Sequence, residues 1–477
     1  MLAEMSGSAA THDAPQQKGG TAVSAGYRRY VLVLLTAVYT FNFIDRQIMG
    51  ILAPAISKDL GLGDGQLGIL MGFAFAVLYT TLGIPIARMA DRANRVVVLA
   101  ISLACWSGFT AISGFAQNFT QLALARVGVG IGEAGGSPPA HSLLSDLYPK
   151  EQRAGALAIY ALGIPIGITM AYLCGGYVVT HFSWRTTFFV VGLPGVALAI
   201  LLKLTVREPK RGAVETSHRN DAFAGLKVEH PETLMERFFW AMTRPLGARW
   251  GASTFSELTV LWRAAKHLLS IPSYLNVVIG LTAGSFASYA VGSWIVVFFA
   301  RNHPGLSTYE VLVALGLING TAYVLGVFFG GRLVDQQARR HRSAYGWIPA
   351  IALTLNIPCF LGAMWASDPT ISLILWWPAH LLLGFYLGPC FAMAQTLAPV
   401  SIRALSTAIF FFILNMIALG LGPTFVGLLS AQLTEEWGSA MALRIALSTV
   451  AVATLIAIGF FIRLARSVEA DWARATQ

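Results

Sequence analysis

Apolar residues run along this chain in windows of about 20, the length an α-helix needs to cross a bilayer. Short polar stretches separate the windows. The pattern predicts twelve membrane-spanning helices, over approximately residues 28–53, 65–87, 96–116, 120–143, 154–178, 184–206, 272–299, 308–330, 347–366, 370–397, 404–430 and 440–463. Residues 1–26 are small and polar, with no paired basic and apolar regions of a signal peptide, and are expected to form a disordered tail. The longest internal interruption, 207–270, divides the spans six and six and is expected to be a linker. Within it TFSELTVLWRAAKHLLS opens on a Thr254/Glu257 capping box. Phe255, Leu258, Leu261, Trp262 and Leu268 follow at near-helical spacing, as on an interfacial helix tying the halves together. The expected organisation is therefore tail, six-helix bundle (27–206), linker (207–270), six-helix bundle (271–466) and a short tail (467–477).

Composition and charge agree with that organisation. Charged residues make up 12% of the chain, half the roughly 25% of a soluble domain. Of the 33 Lys and Arg, 27 fall in the tails and the loops after even-numbered spans, and only four in the odd-numbered loops. The positive-inside rule then places both tails in the cytoplasm of a cell (inner) membrane. The net charge of +10 is thus a topology signal and no mark of nucleic-acid binding. Cys105, Cys174, Cys359 and Cys390 lie far apart in apolar runs, so they read as small core residues, with neither a disulfide framework nor a metal site implied. No cofactor is expected.

The halves repeat each other. ARMADRANR (87–95) follows span 2 and GRLVDQQARR (331–340) follows span 8; PKEQRAGAL (149–157) follows span 4 and PVSIRALST (399–407) follows span 10. Asp91 and Asp335 are 244 residues apart, and Arg153 and Arg403 are 250 apart. Duplicated six-helix halves are characteristic of secondary transporters. The first pair of loops resembles the major facilitator superfamily signature G-x-L-x-D-R-x-G-R-R. Gly331, Leu333, Asp335, Arg339 and Arg340 match in the second half, and Asp91, Arg92 and Arg95 in the first. Ala87, Asn94 and Ala338 depart from it, and Asn94 is the best non-glycine substitute in a left-handed turn. An Asp at a helix end beside arginines braces neighbouring helices, so these residues, with Arg153 and Arg403, are candidate conformational gates. The first half further resembles the Spinster branch, through FNFIDRQ (41–47), GQLGILMGFAFAVLYTTLGIPIARMADRANR (65–95), LARVGVGIGEAGGSPPAHSLLSDLYP (124–149) and GIPIG (163–167). That resemblance implies proton-driven export of lysophospholipids or sphingosine-1-phosphate.

Of 56 formally charged side chains, only Asp45, Arg46, Arg126 and Glu133 lie well inside predicted spans. A charge at mid-helix costs roughly 2.5–3.5 kcal/mol on insertion scales, so intramembrane ionisable groups are functional candidates by default. The four sum to zero charge, as mutual pairing requires. Residue counting puts Asp45 and Arg126 at similar depth, with Glu133 about two turns away; in the superfamily fold the resemblance implies, spans 1, 4, 7 and 10 line a central cavity where the four would meet. Asp45 and Glu133 are the candidate proton-coupling pair. Arg46, Arg126 and Asn42 are candidate substrate ligands. Burial favours a protonated carboxyl and a nearby guanidinium favours the carboxylate, so an arginine drawn onto an anionic cargo would hand its partner a proton.

Other motifs carry less. Gly130-x-Gly132-x-x-Gly135 spells a dinucleotide fingerprint, yet no strand precedes it and Glu133 sits inside it; with Gly128 and Gly136 it reads as close helix packing. His141 and Asp146 have an acyltransferase spacing with no companion motif. Gly163, Pro165 and Gly167 suggest a pliable span 5 at the interface of the halves. The sequence is therefore expected to be an all-α, monomeric, alternating-access transporter, without enzymatic activity. Its partners would be an amphipathic small-molecule anion, protons and membrane lipids, with a carrier of a small organic acid or drug-like anion as the alternative.

Overall fold

The structure, a computed structural model, describes residues 24–209, 259–399 and 403–476, and every regular element among them is helical. Span 1 is Ala25–Leu60. The Ser24 side chain caps its start by accepting from the Tyr27 N–H, and Gly61 closes it at a φ of 64°, the left-handed conformation glycine adopts without Cβ clash. Spans 3 (Arg95–Ser113), 6 (Trp184–Thr205), 7 (Pro272–Asn302) and 9 (Ala344–Trp365) are also continuous.

The remaining spans are interrupted. Span 2 is Asp64–Met71 and Phe73–Arg92, broken at Gly72. Span 4 is Phe119–Glu133 and Ser137–Leu147; span 10 is Pro369–Leu383 and Leu387–Thr396. Spans 5, 8 and 11 each pass through a π-helical stretch, at Ala171–Gly175, Asn319–Tyr323 and Asn415–Leu421. Gly438, at φ 72°, turns the corner between spans 11 and 12 inside Gly422–Thr449, and Ala451–Thr476 completes span 12. Ten helical runs among the described residues are long and apolar enough to cross a membrane; one of these, Leu405–Arg474, holds both spans 11 and 12. Span 4, Phe119–Glu133 and Ser137–Leu147, adds the twelfth.

Packing repeats after six spans. Span 3 lies against 4 and 6, span 2 against 4, and span 1 against 6; span 9 likewise lies against 10 and 12, span 8 against 10, and span 7 against 12. The break at 134–136 in span 4 recurs at 384–386 in span 10, and Pro139 and Pro389 stand three residues beyond them. Two pseudo-symmetric bundles result. They meet through spans 1 and 7, 2 and 11, and 5 and 8. Every span of the latter two pairs carries one of the interruptions above.

One end of the molecule carries the odd-numbered loops, and there the bundles share an apolar core built on Ile48, Leu52, Leu67, Trp294, Phe298 and Leu312. Small residues allow this approach: a Cβ on Gly68 would lie 2.9 Å from the Pro423 carbonyl oxygen, and one on Gly50 2.8 Å from that of Ser293. Asp64, at the start of span 2, accepts from both Nη atoms of Arg301 at 2.7 and 2.6 Å and from Ser430 Oγ at 2.6 Å. Toward the end carrying the tails the core divides. One part is built on the first bundle around Leu35, Leu99 and Leu143, joined by Leu419 of span 11, and the other lies within the second around Tyr274, Leu353 and Phe461. Tyr289 packs against both.

The linker helix is described over residues 259–269, where Val260 and Leu268 are buried in the second bundle's core. Thr254, Phe255, Glu257 and Leu258 lie outside the described residues, as does the tail up to residue 23. The cysteines do not form a uniform set of core residues: Cys390 is buried, Cys105 and Cys359 are partly buried, and Cys174 of span 5 is exposed.

Candidate functional site

Asn42, Asp45 and Arg46 fall at i, i+3 and i+4 on span 1 and therefore form one stripe. It faces spans 2, 3 and 4. Glu133 is the last residue of Phe119–Glu133, immediately before the break in span 4, and its Oε2 accepts from Arg46 Nε at 2.7 Å. Asp45 lies in the field of both Glu133 and Arg126, with Thr110 and Trp106 of span 3 the nearest polar side chains. Arg126 interacts electrostatically with Glu133, Asp45 and Arg46. The structure thus brings all four charges together. The closest pair is Arg46 with Glu133: the length of the arginine side chain spans the depth that residue counting placed between them.

Burial separates the four. Asp45, Arg126 and Glu133 are 1–2% exposed, whereas the Arg46 side chain is 14% exposed. Arg46 therefore stands at the edge of the cluster, with Tyr79 of span 2 and Tyr289 of span 7 both within electrostatic reach. Aromatic rings hold it: its guanidinium carbon lies 4.5 Å from the Tyr79 ring centroid, 5.3 Å from Phe43 and 5.4 Å from Phe75. Arg126 sits 5.3 Å from the Phe75 centroid, so this one ring is contacted by both guanidinium groups. Such cation–π contacts contribute about 2 kcal/mol or more when desolvated, and they engage the guanidinium faces, leaving the edge for hydrogen bonds such as the one to Glu133.

Glycines make the cluster possible. A Cβ on Gly130 would meet the Phe75 carbonyl oxygen at 2.5 Å, and one on Gly132 the Trp106 backbone nitrogen at 2.5 Å. The glycine run of span 4 is therefore the packing surface that lets spans 2 and 3 close around Glu133. Gly132→Val is expected to destabilise the protein by about 1–3 kcal/mol, because backbone cannot yield as a side chain does. Gly83→Ala, where nothing lies within 4 Å of the new Cβ, is the control; equal thermal midpoints for the two variants in detergent would contradict this.

The loop motifs divide. Arg95 is 2% exposed and saturated: it donates to Asp146 at 2.5 Å, Glu208 at 2.6 Å, Ser142 at 2.8 Å and the Pro209 carbonyl at 3.2 Å. It thereby fastens spans 3 and 4 to the chain leaving span 6. Asp146 is thus held by Arg95, while His141 bonds the Ser137 carbonyl at 2.8 Å. Arg153 donates to the Ser145 carbonyl at 2.7 Å. Asp335 and Arg339 are exposed around a polar groove at the end of span 8, and Arg340 is exposed beside them. The side chains of Asp91, Arg92 and Arg403 lie outside the described residues. Gly163 and Gly167 press against span 1, where a Cβ on Gly167 would meet the Thr40 carbonyl oxygen at 2.5 Å. The contact across the bundles comes from Asn319 of span 8, which donates to the Pro165 carbonyl at 3.4 Å and Thr169 at 3.2 Å.

The family profile described as Major Facilitator Superfamily matches residues 35–423. The chain belongs to that superfamily. It is 32% identical to an MFS-type efflux pump of Mycolicibacterium smegmatis over 91% of this chain and 92% of that protein. It is also 28% identical to human protein spinster homolog 1, covering 67% of this chain and 57% of that one. A solved bacterial homologue of the human lysosomal transporter Spinster, in an inward-facing and unoccupied conformation, superposes with a TM-score of 0.77 at 28% identity, over 94% of this chain and 99% of that one. The chain is a multi-pass membrane transporter of the Spinster-like kind, working by alternating access, and its relatives are transporters rather than enzymes.

Proposed function

We propose that this transporter is a proton-coupled exporter of a lysolipid-like amphipathic anion, acting as a monomer in a cell (inner) membrane with both tails in the cytoplasm. The observation that carries the proposal is the placement of Arg46: paired with Glu133, caged by aromatic rings and, alone of the four charges, partly exposed where the two bundles part. An anionic head group reaching Arg46 would compete with Glu133 for the guanidinium. Released from its partner, Glu133 would take up a proton, and Asp45 beside it offers a second carboxyl. Arg126 and Asn42 would keep the cluster's charge and orientation fixed during the exchange. The rings around Arg46 suit the apolar part of an amphiphile. In the same reading Asp91, Arg92, Arg95, Arg153, Asp335, Arg339, Arg340 and Arg403 form the brace that closes the tail end when the odd-loop end opens.

The alternative, a small organic acid or drug-like anion, is favoured by the likeness to an efflux pump. Counterflow in proteoliposomes distinguishes them. With an imposed pH gradient, labelled lysophosphatidic acid is expected to exchange against unlabelled lysolipid and not against short-chain carboxylates. Exchange with the carboxylates alone would select the alternative, and no exchange with either would overturn both.

A further inference from the structure

The second bundle presents a polar row to the first that contains no formal charge. Tyr289 of span 7 lies within electrostatic reach of Arg46 and Tyr79. Tyr323, the last residue of the π-helical stretch in span 8, lies within reach of Tyr289, and its ring stands 5.6 Å from that of His380 in span 10. His380 is 5.7 Å from Trp376 on its other side. Tyr289 thus stands between the guanidinium of span 1 and a contacting pair of polar rings, Tyr323 on span 8 and the His380 imidazole on span 10. His380 Nδ1 is buried and makes no hydrogen bond among the described residues. A buried, unpartnered imidazole nitrogen is a cost that a ligand donor or acceptor would recover. The local backbone holds the group in place: Pro378 lies in the same turn and Asn356 donates to the Ala379 carbonyl at 2.8 Å.

We propose that His380 and Tyr323 form a second cargo subsite, a neutral hydrogen-bonding station for a hydroxyl or ester carbonyl of the molecule whose anionic head Arg46 holds. The proposal rests on the cargo reading given above. A phosphate needs charge, which Arg46 supplies; a glycerol hydroxyl or ester needs only a directional neutral partner, which an imidazole and a phenol supply without the cost of burying another ion. A cargo touching both stations links the two bundles, so its head region is read by both halves of the transporter.

Binding to the full chain in phosphatidylcholine nanodiscs tests this, with two probes of equal chain and equal phosphate: 1-oleoyl lysophosphatidic acid, which has the glycerol hydroxyl and ester, and oleyl phosphate, which has neither. His380→Phe is expected to weaken the lysophosphatidic acid roughly tenfold and to leave oleyl phosphate unchanged, since a hydrogen bond is lost only where the ligand makes one. His380→Gln, which keeps a donor and an acceptor, should restore much of the loss. Tyr323→Phe removes a single hydroxyl and gives the same selective pattern should His380→Phe fail to fold. Equal effects on both probes, or none on either, would overturn the subsite and leave the cargo reading standing. Failure of the unsubstituted protein to bind either probe would overturn the cargo reading and the subsite together.

Discussion

Asp45→Asn is expected to abolish transport driven by a pH gradient, a loss of at least about 100-fold, while leaving the protein folded. The two halves of that expectation come from different partners. Asp45 is 1% exposed and its polar neighbours on span 3 are the neutral Thr110 and Trp106, so an isosteric amide fits the same space and keeps an oxygen toward them. What it removes is a carboxyl beside Arg126 and Glu133, and with it one site that could exchange a proton as the cluster's charges rearrange. Glu133→Gln should act on both properties. It leaves Arg46 without its ion-pair partner, and breaking a buried pair from one side costs roughly 3–5 kcal/mol. Arg46 is partly exposed and can turn toward the divide, which argues for the lower end. Proton uptake measured with a pH dye on proteoliposomes, alongside thermal midpoints, separates the two effects. If Asp45→Asn with Glu133→Gln keeps the unsubstituted protein's pH dependence, the coupling mechanism is wrong.

The spans were legible because lipid imposes a simple requirement: an apolar window of fixed length. Predicted windows 96–116, 184–206 and 272–299 correspond to Arg95–Ser113, Trp184–Thr205 and Pro272–Asn302. Hydropathy does not record whether a carbonyl bonds four or five residues ahead, so the π-helical stretches in spans 5, 8 and 11 had no signal. The breaks in spans 4 and 10 were accessible in principle, since glycine and proline cluster at both, 250 residues apart.

The charged part of the site was legible for the complementary reason: four ions in an apolar background are conspicuous. Their surroundings were not. Trp106 and Thr110, which flank Asp45, and Phe75 and Tyr79, which flank the arginines, are residue types common in any span, and only the fold brings them near. His380 escaped because a count of formal charge omits histidine. Trp294 of span 7 is wholly buried and donates to the Pro423 carbonyl of span 11 at 2.9 Å, a structural bond within the second bundle. Arg95 matched a gating motif, yet its partner Glu208 follows span 6, and no local pattern connects the two.

Arg301→Gln is expected to unseal the odd-loop end. Arg301 and Asp64 join span 7 of one bundle to span 2 of the other through two charge-assisted bonds, and Ser430 of span 11 adds a third to the same carboxylate. Asp64 is 6% exposed, so removing its cation leaves a nearly buried carboxylate with one hydroxyl donor. Arg301 itself is 21% exposed, and solvent screening reduces the penalty to roughly 1–3 kcal/mol. Because this pair exists only while the bundles touch at that end, the whole loss falls on the closed state. It should move the equilibrium between closed and open about 10- to 100-fold toward opening. Spin labels at the exposed positions Gln66 and Glu435, one on each bundle, would report a longer distance growing in Arg301→Gln and in Asp64→Asn. The charge-reversed pair Asp64→Arg with Arg301→Asp should recover part of the short distance, since it restores attraction but not the bond to Ser430. A distance distribution unchanged by either single substitution would mean that the glycine-lined contacts of Gly50 and Gly68 hold this end shut by themselves.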